Sequence, residues 1–197
     1  MMDYLKQVLK IAEGNNGIIT SSKVTELKIP RIYLTKLINS GKLQKIDRGI
    51  YAIPEVWEDE FYILQTRYPA GIFSHDSSLF LYGYTDRTPS IFTMTFPYGY
   101  HAQTLIGRVI IKKANPGLYE IGIQTVVTPS GHTVRAYSIE RTLCDIFRGK
   151  NANDVEQNLP ALKKYMNSPE KNVAQLLDYA GKLRVLSRMR RYLEVLL

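Results

Sequence analysis

Gly17-Ile18-Ile19-Thr20-Ser21-Ser22-Lys23-Val24-Thr25-Glu26-Leu27-Lys28-Ile29-Pro30-Arg31-Ile32-Tyr33-Leu34-Thr35-Lys36-Leu37-Ile38-Asn39-Ser40-Gly41 is the stretch on which the fold turns. Ile18-Ile19 is a short apolar segment. Thr20 or Ser21 then offers a side-chain oxygen to cap a helix through about Lys28, with Val24 and Leu27 pointing inward. Proline suits the first turn of a new helix, because the N–H it lacks has no partner there. That next helix runs from about Pro30 to Ser40 and stops at Gly41. Leu34, Leu37 and Ile38 form its buried face. At about 100° per residue, Ile32, Thr35, Lys36 and Asn39 fall on the opposite side, with Arg31 and Tyr33 at the margins. Two short helices joined by a tight turn, the second with a mixed exposed face, fit a recognition helix in a major groove.

The flanks agree. Upstream, Leu5, Val8, Leu9 and Ala12 are spaced as one helix stripe, and Gly14-Asn15-Asn16-Gly17 ends it. Downstream, Leu43-Gln44-Lys45-Ile46 and Gly49-Ile50-Tyr51-Ala52-Ile53 alternate around Asp47-Arg48-Gly49, a hairpin that reads as a wing. The expected DNA contacts are Thr20, Ser21 and Lys23 on the leading helix, then Arg31, Ile32, Tyr33, Thr35, Lys36 and Asn39. Lys45 and Arg48 of the wing would lie near phosphates. Each has a plainer alternative: polar surface for Thr35 and Asn39, packing under the wing for Ile32, wing core for Tyr51.

Charge supports a nucleic-acid partner. Residues 1–54 carry nine Lys/Arg against four Asp/Glu, residues 55–140 six against eight, and residues 141–197 eleven against six, within a net charge of +8. Two basic ends flank a mildly acidic middle, although clustered lysines are often only a solvated face. A single cysteine, Cys144, excludes an internal disulfide and a cysteine-rich zinc site, and is expected as unreactive, buried helix surface. The N-terminus lacks an export signal and no run approaches the ~18 apolar residues of a membrane span, so the expected address is cytoplasmic.

Beyond the acidic connector Pro54-Glu55-Val56-Trp57-Glu58-Asp59-Glu60 the pattern changes. A helix is expected over Phe61 to Tyr68, and a second to Tyr82, capped by Ser74. Strands are expected at Ile91–Phe96 and Arg108–Lys112, and a hairpin pairs Ile121–Val127 with His132–Tyr137. Helices follow from Ser138 through Phe147, then near 154–166, 170–181 and 184–196. The fold class is α+β: a winged helix-turn-helix over 1–54, then a mixed α/β domain over 55–197, with strands in 70–137 and helices in 138–197. Arg184, Arg188 and Arg191 form a basic stripe opposite Leu186, Met189 and Leu193, either solvated or a possible C-terminal interaction face.

No enzyme chemistry is evident. His75, His101 and His132 lack metal-ligand spacing, no glycine-rich phosphate loop is present, and the strands are nearly free of the paired carboxylates a nuclease needs. No cofactor, metal or catalytic residue is expected. Ser74 and His75 suit a helix cap and a buried hydrogen bond, and Arg141 with Asp145 an ion pair one turn apart.

Four segments resemble the AbiEi family, the antitoxin regulators of the AbiE abortive-infection systems. They are Gly17 through Leu34 with Asp47-Arg48-Gly49-Ile50-Tyr51; Phe73-Ser74-His75-Asp76-Ser77-Ser78-Leu79 with Tyr82 through Pro89; Tyr137 through Asp145; and Tyr179 through Val185 with Arg190 through Leu196. The resemblance implies an antitoxin that represses its own operon by binding promoter inverted repeats. It also implies neutralisation, through the C-terminal domain, of a nucleotidyltransferase-like toxin with which no stable complex forms. It carries over no catalytic residues. Two other readings stand beside it: an enzyme whose C-terminal domain modifies the toxin or its substrate, and a repressor whose second domain senses a small molecule.

Overall fold

A computed structural model describes residues 3–101, 109–148 and 155–196. Arg108 and the start of the helix expected near 154 lie outside the described residues. The chain forms two compact units, one of residues 1–67 with 127–133, the other of 68–126 with 134–197.

In the first unit, α1 (Tyr4–Glu13) starts where the Asp3 carboxylate accepts from the Lys6 N–H at 3.3 Å, and it buries Val8 and Ala12. Gly17 (φ +83°) turns the chain; a Cβ there would lie 2.5 Å from Val56, so only glycine fits. Then come β1 (Ile18–Thr20), α2 (Ser21–Glu26), α3 (Ile32–Asn39), β2 (Gln44–Asp47) and β3 (Ile50–Ala52). The three strands pair antiparallel in the order β1-β3-β2, with a bulge between Lys45 and Asp47. Val8, Ala12, Ile19, Val24, Ile29, Leu34, Leu37 and Leu43 make one core. This is the expected winged helix-turn-helix.

Two local expectations need correction. Leu27 does not point inward: α2 stops at Glu26, Lys28 adopts φ +56°, and Leu27 is exposed at the helix end. The next helix starts at Ile32 rather than at Pro30, with Arg31 at its N-cap.

The first unit extends past the wing. α4 (Glu60–Arg67) packs Ile63 against Ile18, Ile50 and Ala52. The Asp59 carboxylate caps α4 by accepting from the Tyr62 N–H at 3.1 Å, and also receives the Thr128 hydroxyl. It lies 2.8 Å from His132 Nδ1, while His132 Nε2 is 3.2 Å from the Asn15 carbonyl and the ring stacks on Tyr62. Asp59, Thr128 and His132 are all buried. The module read over 1–54 thus sits inside a larger packing unit.

The second unit is built on a five-stranded sheet in the order β6-β5-β4-β8-β7. Its strands are β4 (Ile72–Phe73), β5 (Phe92–Pro97), β6 (Val109–Ala114), β7 (Ile123–Val127) and β8 (Thr133–Tyr137). β4 runs antiparallel to β5 but parallel to β8, and β5 parallel to β6. Helices α5 (Asp76–Leu81), α6 (Pro116–Tyr119), α7 (Ile139–Ile146), α8 (Val155–Asn167), α9 (Val173–Lys182) and α10 (Leu186–Leu196) complete it. Leu143, Phe147, Leu162, Leu176, Leu183 and Met189 pack between the helices. Each such side chain contributes on the order of 1.5–3 kcal/mol relative to exposure. The hairpin and the C-terminal helices fall where the alternation and the apolar stripes put them; α6 and the parallel pairings were not expected.

Every residue of α7 from Glu140 to Ile146 is buried, polar ones included. Ser138 caps it, Thr142 donates to Ser78 Oγ at 2.9 Å, and Ser78 donates to the Tyr137 carbonyl at 2.7 Å. Arg141 Nε donates to Asp145 at 2.9 Å, as the i, i+4 spacing suggested. Cys144 is buried as expected; burial pushes its thiol pKa up to about 12, which keeps it protonated and unreactive. Ser74 is not the cap of α5: that place belongs to His75, and Ser74 instead accepts from the Thr95 hydroxyl at 2.9 Å. Among the described residues no helix is long and apolar enough to cross a membrane.

Candidate nucleic-acid interface

α3 presents two faces. Leu34 and Leu37 are buried, while Arg31, Ile32, Thr35, Lys36 and Asn39 are exposed, as the helical spacing required. Ile32 is 55% exposed, too open to be packed under the wing. Tyr33 sits between the two faces: its ring lies 5.0 Å from that of Tyr4, and the Lys36 ammonium rests 5.2 Å from its centroid. It therefore steadies the helix against α1 and sets the stem of Lys36.

α2 is tied to both neighbours of the recognition helix. Thr20 Oγ1 accepts from the Lys23 N–H at 3.1 Å, so Thr20 serves as a helix cap. Ser21 N–H donates to the Gly49 carbonyl at 2.8 Å, fixing the wing turn to the start of α2. Gly49 (φ +74°) permits this approach, since a Cβ would come within 2.7 Å of Ser21 Oγ. Arg31 Nε donates to Thr25 Oγ1 at 2.9 Å, bracing the guanidinium beside the turn. Lys23 pairs with Glu26 at 3.0 Å, which reduces its availability to a phosphate.

On the wing, Lys45 is exposed on β2, and Arg48 is exposed in the turn. Asp47, the one acidic residue of the wing, is half-buried and engaged: it accepts from the Arg48 N–H at 2.6 Å and pairs with Arg67 of α4. Among the described residues Arg31, Lys36, Lys45 and Arg48 form no ion pair with a carboxylate. Unpaired cations around a polar helix face form a surface for a phosphate backbone. Lys42, exposed just beyond α3, adds a cation that periodicity did not single out.

The C-terminal arginines do not form one free stripe. Arg184 is exposed with φ +59°, in the connection before α10. Arg188 is half-buried and donates to the Phe147 carbonyl at 2.7 Å, satisfying the end of α7. Arg191 is exposed, and Met189 and Leu193 are buried opposite.

Residues 6–54 match the model of a family described as transcriptional regulator, AbiEi antitoxin. No curated protein matches the chain. Among solved structures, the crystal structure of the RV2827C protein from Mycobacterium tuberculosis is similar at 13% identity, over 98% of this chain and 82% of that one, with a TM-score of 0.47.

Proposed function

We propose that this chain, whose residues 6–54 match the model of the AbiEi antitoxin transcriptional regulators, represses its own operon at promoter inverted repeats and neutralises a nucleotidyltransferase-like toxin. The observation behind the DNA-binding part is the exposed face of α3, flanked by the unpaired wing cations Lys45 and Arg48. In this reading Arg31, Ile32, Thr35, Lys36 and Asn39 meet the major groove. Lys45 and Arg48, with the start of α2 at Thr20, Ser21 and Lys23, meet the backbone. Two copies on one inverted repeat would each read a half-site, because operator symmetry mirrors protein symmetry. The second unit counters the toxin in the cytoplasm without a stable complex, and no catalytic step is assigned to it.

Phosphate and base contacts predict different behaviour. Lys45→Ala with Arg48→Ala should weaken binding to operator and unrelated duplex alike, lowering the salt slope by about one per residue. Thr35→Ala or Asn39→Ala should mainly erode discrimination, by on the order of 1–3 kcal/mol per lost base contact. Fluorescence anisotropy over a salt series separates the two; identical behaviour of both pairs would overturn this orientation of α3.

Neutralisation is tested by growth rescue against the adjacent toxin gene. Because α4 and residues 127–133 pack within the first unit, substitutions separate the functions more cleanly than truncation after residue 54. The Lys45→Ala/Arg48→Ala/Asn39→Ala chain should lose repression of a promoter reporter yet still rescue growth. A non-toxic neighbour, or no rescue by the unaltered chain, would remove the antitoxin role.

A further inference from the structure

We infer that the second unit carries a binding site for a phosphoryl group, in a cavity of about 260 Å³ lined by His75, Thr95, Lys112, Arg141, Asp145 and Arg148. The cavity draws these residues from four places: the turn after β4, the register partners Thr95 and Lys112 on β5 and β6, the inner face of α7, and the turn that follows it.

Its chemistry is one-sided. Lys112, the adjacent Lys113 and Arg148 make no ion pair among the described residues. Arg141 is almost wholly buried, and its Nε and Nη1 are spent on Asp145 and the carbonyls of Leu118 and Ile121. Arg141 lines the cavity as well, held in place by these three contacts. The one carboxylate present, Asp145, is already engaged by Arg141. It orients that guanidinium rather than offering a free acid to a cation.

His75 adds a directional donor. Thr95 donates to Ser74 Oγ at 2.9 Å, which leaves the Ser74 proton for His75 Nδ1 at 3.2 Å. Burial holds the His75 pKa below its ordinary value despite the nearby Asp145. A neutral ring accepting at Nδ1 carries its proton on Nε2, which has no partner among the described residues. The backbone of His75 (φ 52°, ψ −130°) suits glycine, not a branched ring. A residue held against its backbone preference beside a charged cavity is the usual mark of a functional constraint.

Several cationic donors against a single carboxylate already paired through one oxygen match an oxyanion of more than one charge, which favours a phosphoryl group over a carboxylate. The volume exceeds one phosphate ion but lies at the small end of ligand pockets. No Phe, Tyr or Trp lines it to stack a base. The fitting ligands are therefore compact: a diphosphate or a sugar phosphate.

The test is calorimetric titration of the full-length chain with pyrophosphate, ribose 5-phosphate and ribose, at ionic strength matched with sodium chloride. Pyrophosphate or ribose 5-phosphate, or both, should bind, and ribose should not. Lys112→Gln with Arg148→Gln should weaken binding at least tenfold while leaving thermal unfolding of the unliganded chain unchanged. His75→Gly should also weaken binding without loss of fold, since glycine accepts that backbone freely. No binding above the salt control, or affinity indifferent to these substitutions, would overturn the site. So would a loss confined to operator affinity, which would assign Lys112 and Arg148 to the DNA backbone. The DNA-binding assay reads the other unit, so failure of the regulator reading would leave this result separately visible.

Discussion

Arg141→Met is expected to destabilise the second unit by about 3–5 kcal/mol, the range for stripping one partner from a buried ion pair. Arg141 and Asp145 are both buried, and their contact at 2.9 Å joins two turns of α7. The guanidinium also takes the Leu118 and Ile121 carbonyls and lies 4.2 Å from the Tyr137 ring centroid. Methionine keeps much of the volume but leaves one buried carboxylate and two carbonyls without their donor. Each orphaned neutral acceptor costs about 1–3 kcal/mol. Removing the anion as well, in Arg141→Met/Asp145→Leu, should cost less than the single change, because no buried charge is then left unpaired. Urea unfolding followed by circular dichroism, with hydrogen exchange of the α7 amides, reads both. A single-variant loss below about 1 kcal/mol, or a double variant worse than the single, would mean that this pair is well solvated.

That pair was legible because its residues are four apart on one helix. The winged domain was legible for the same reason: caps, glycine stops and apolar stripes are local, and the exposed face of α3 follows from helical geometry alone. Contacts across the chain left no such trace. Phe73 pairs in parallel with Ala136, and nothing in two residues of strand announces a partner sixty-three positions away. His132 read as an isolated histidine because Asp59 is 73 residues distant and Asn15 is 117. Arg188 read as part of a basic stripe because the stripe is local, whereas the carbonyl it satisfies belongs to another helix.

The two candidate sites divide along the same line. The DNA-facing residues come from one continuous stretch, so sequence order nearly equals spatial order. The phosphoryl site gathers His75, Thr95, Lys112, Arg141 and Arg148 from segments that meet only once the mixed sheet has formed. Pattern reading places His75 at a helix cap or buried hydrogen bond, Thr95 and Lys112 inside strands, and Arg141 in an ion pair, with nothing to join them. The positive φ of His75, where glycine would be usual, shows only once the turn before α5 is formed.

The buried network around Asp59 should prove as costly to break as Arg141. Asp59→Ala is expected to destabilise the first unit by about 3–5 kcal/mol, since three buried donors lose their acceptor at once, each at a cost of about 1–3 kcal/mol. His132 Nδ1 loses its hydrogen-bond partner, Thr128 its acceptor and Tyr62 the cap of α4. His132→Phe preserves the stack on Tyr62, and Asp59 keeps the Thr128 hydroxyl and the Tyr62 N–H. Its loss should therefore be smaller, about 1–3 kcal/mol. The double variant should cost less than the sum, because both changes remove the same interaction. Equal losses for the two single variants, or strict additivity, would contradict a network centred on the carboxylate. Neither side chain lies on the exposed face of α3, so operator preference measured below the unfolding range should survive both changes. If preference shifted while the unit remained folded, α4 and residues 127–133 would be setting the angle at which the recognition helix is presented.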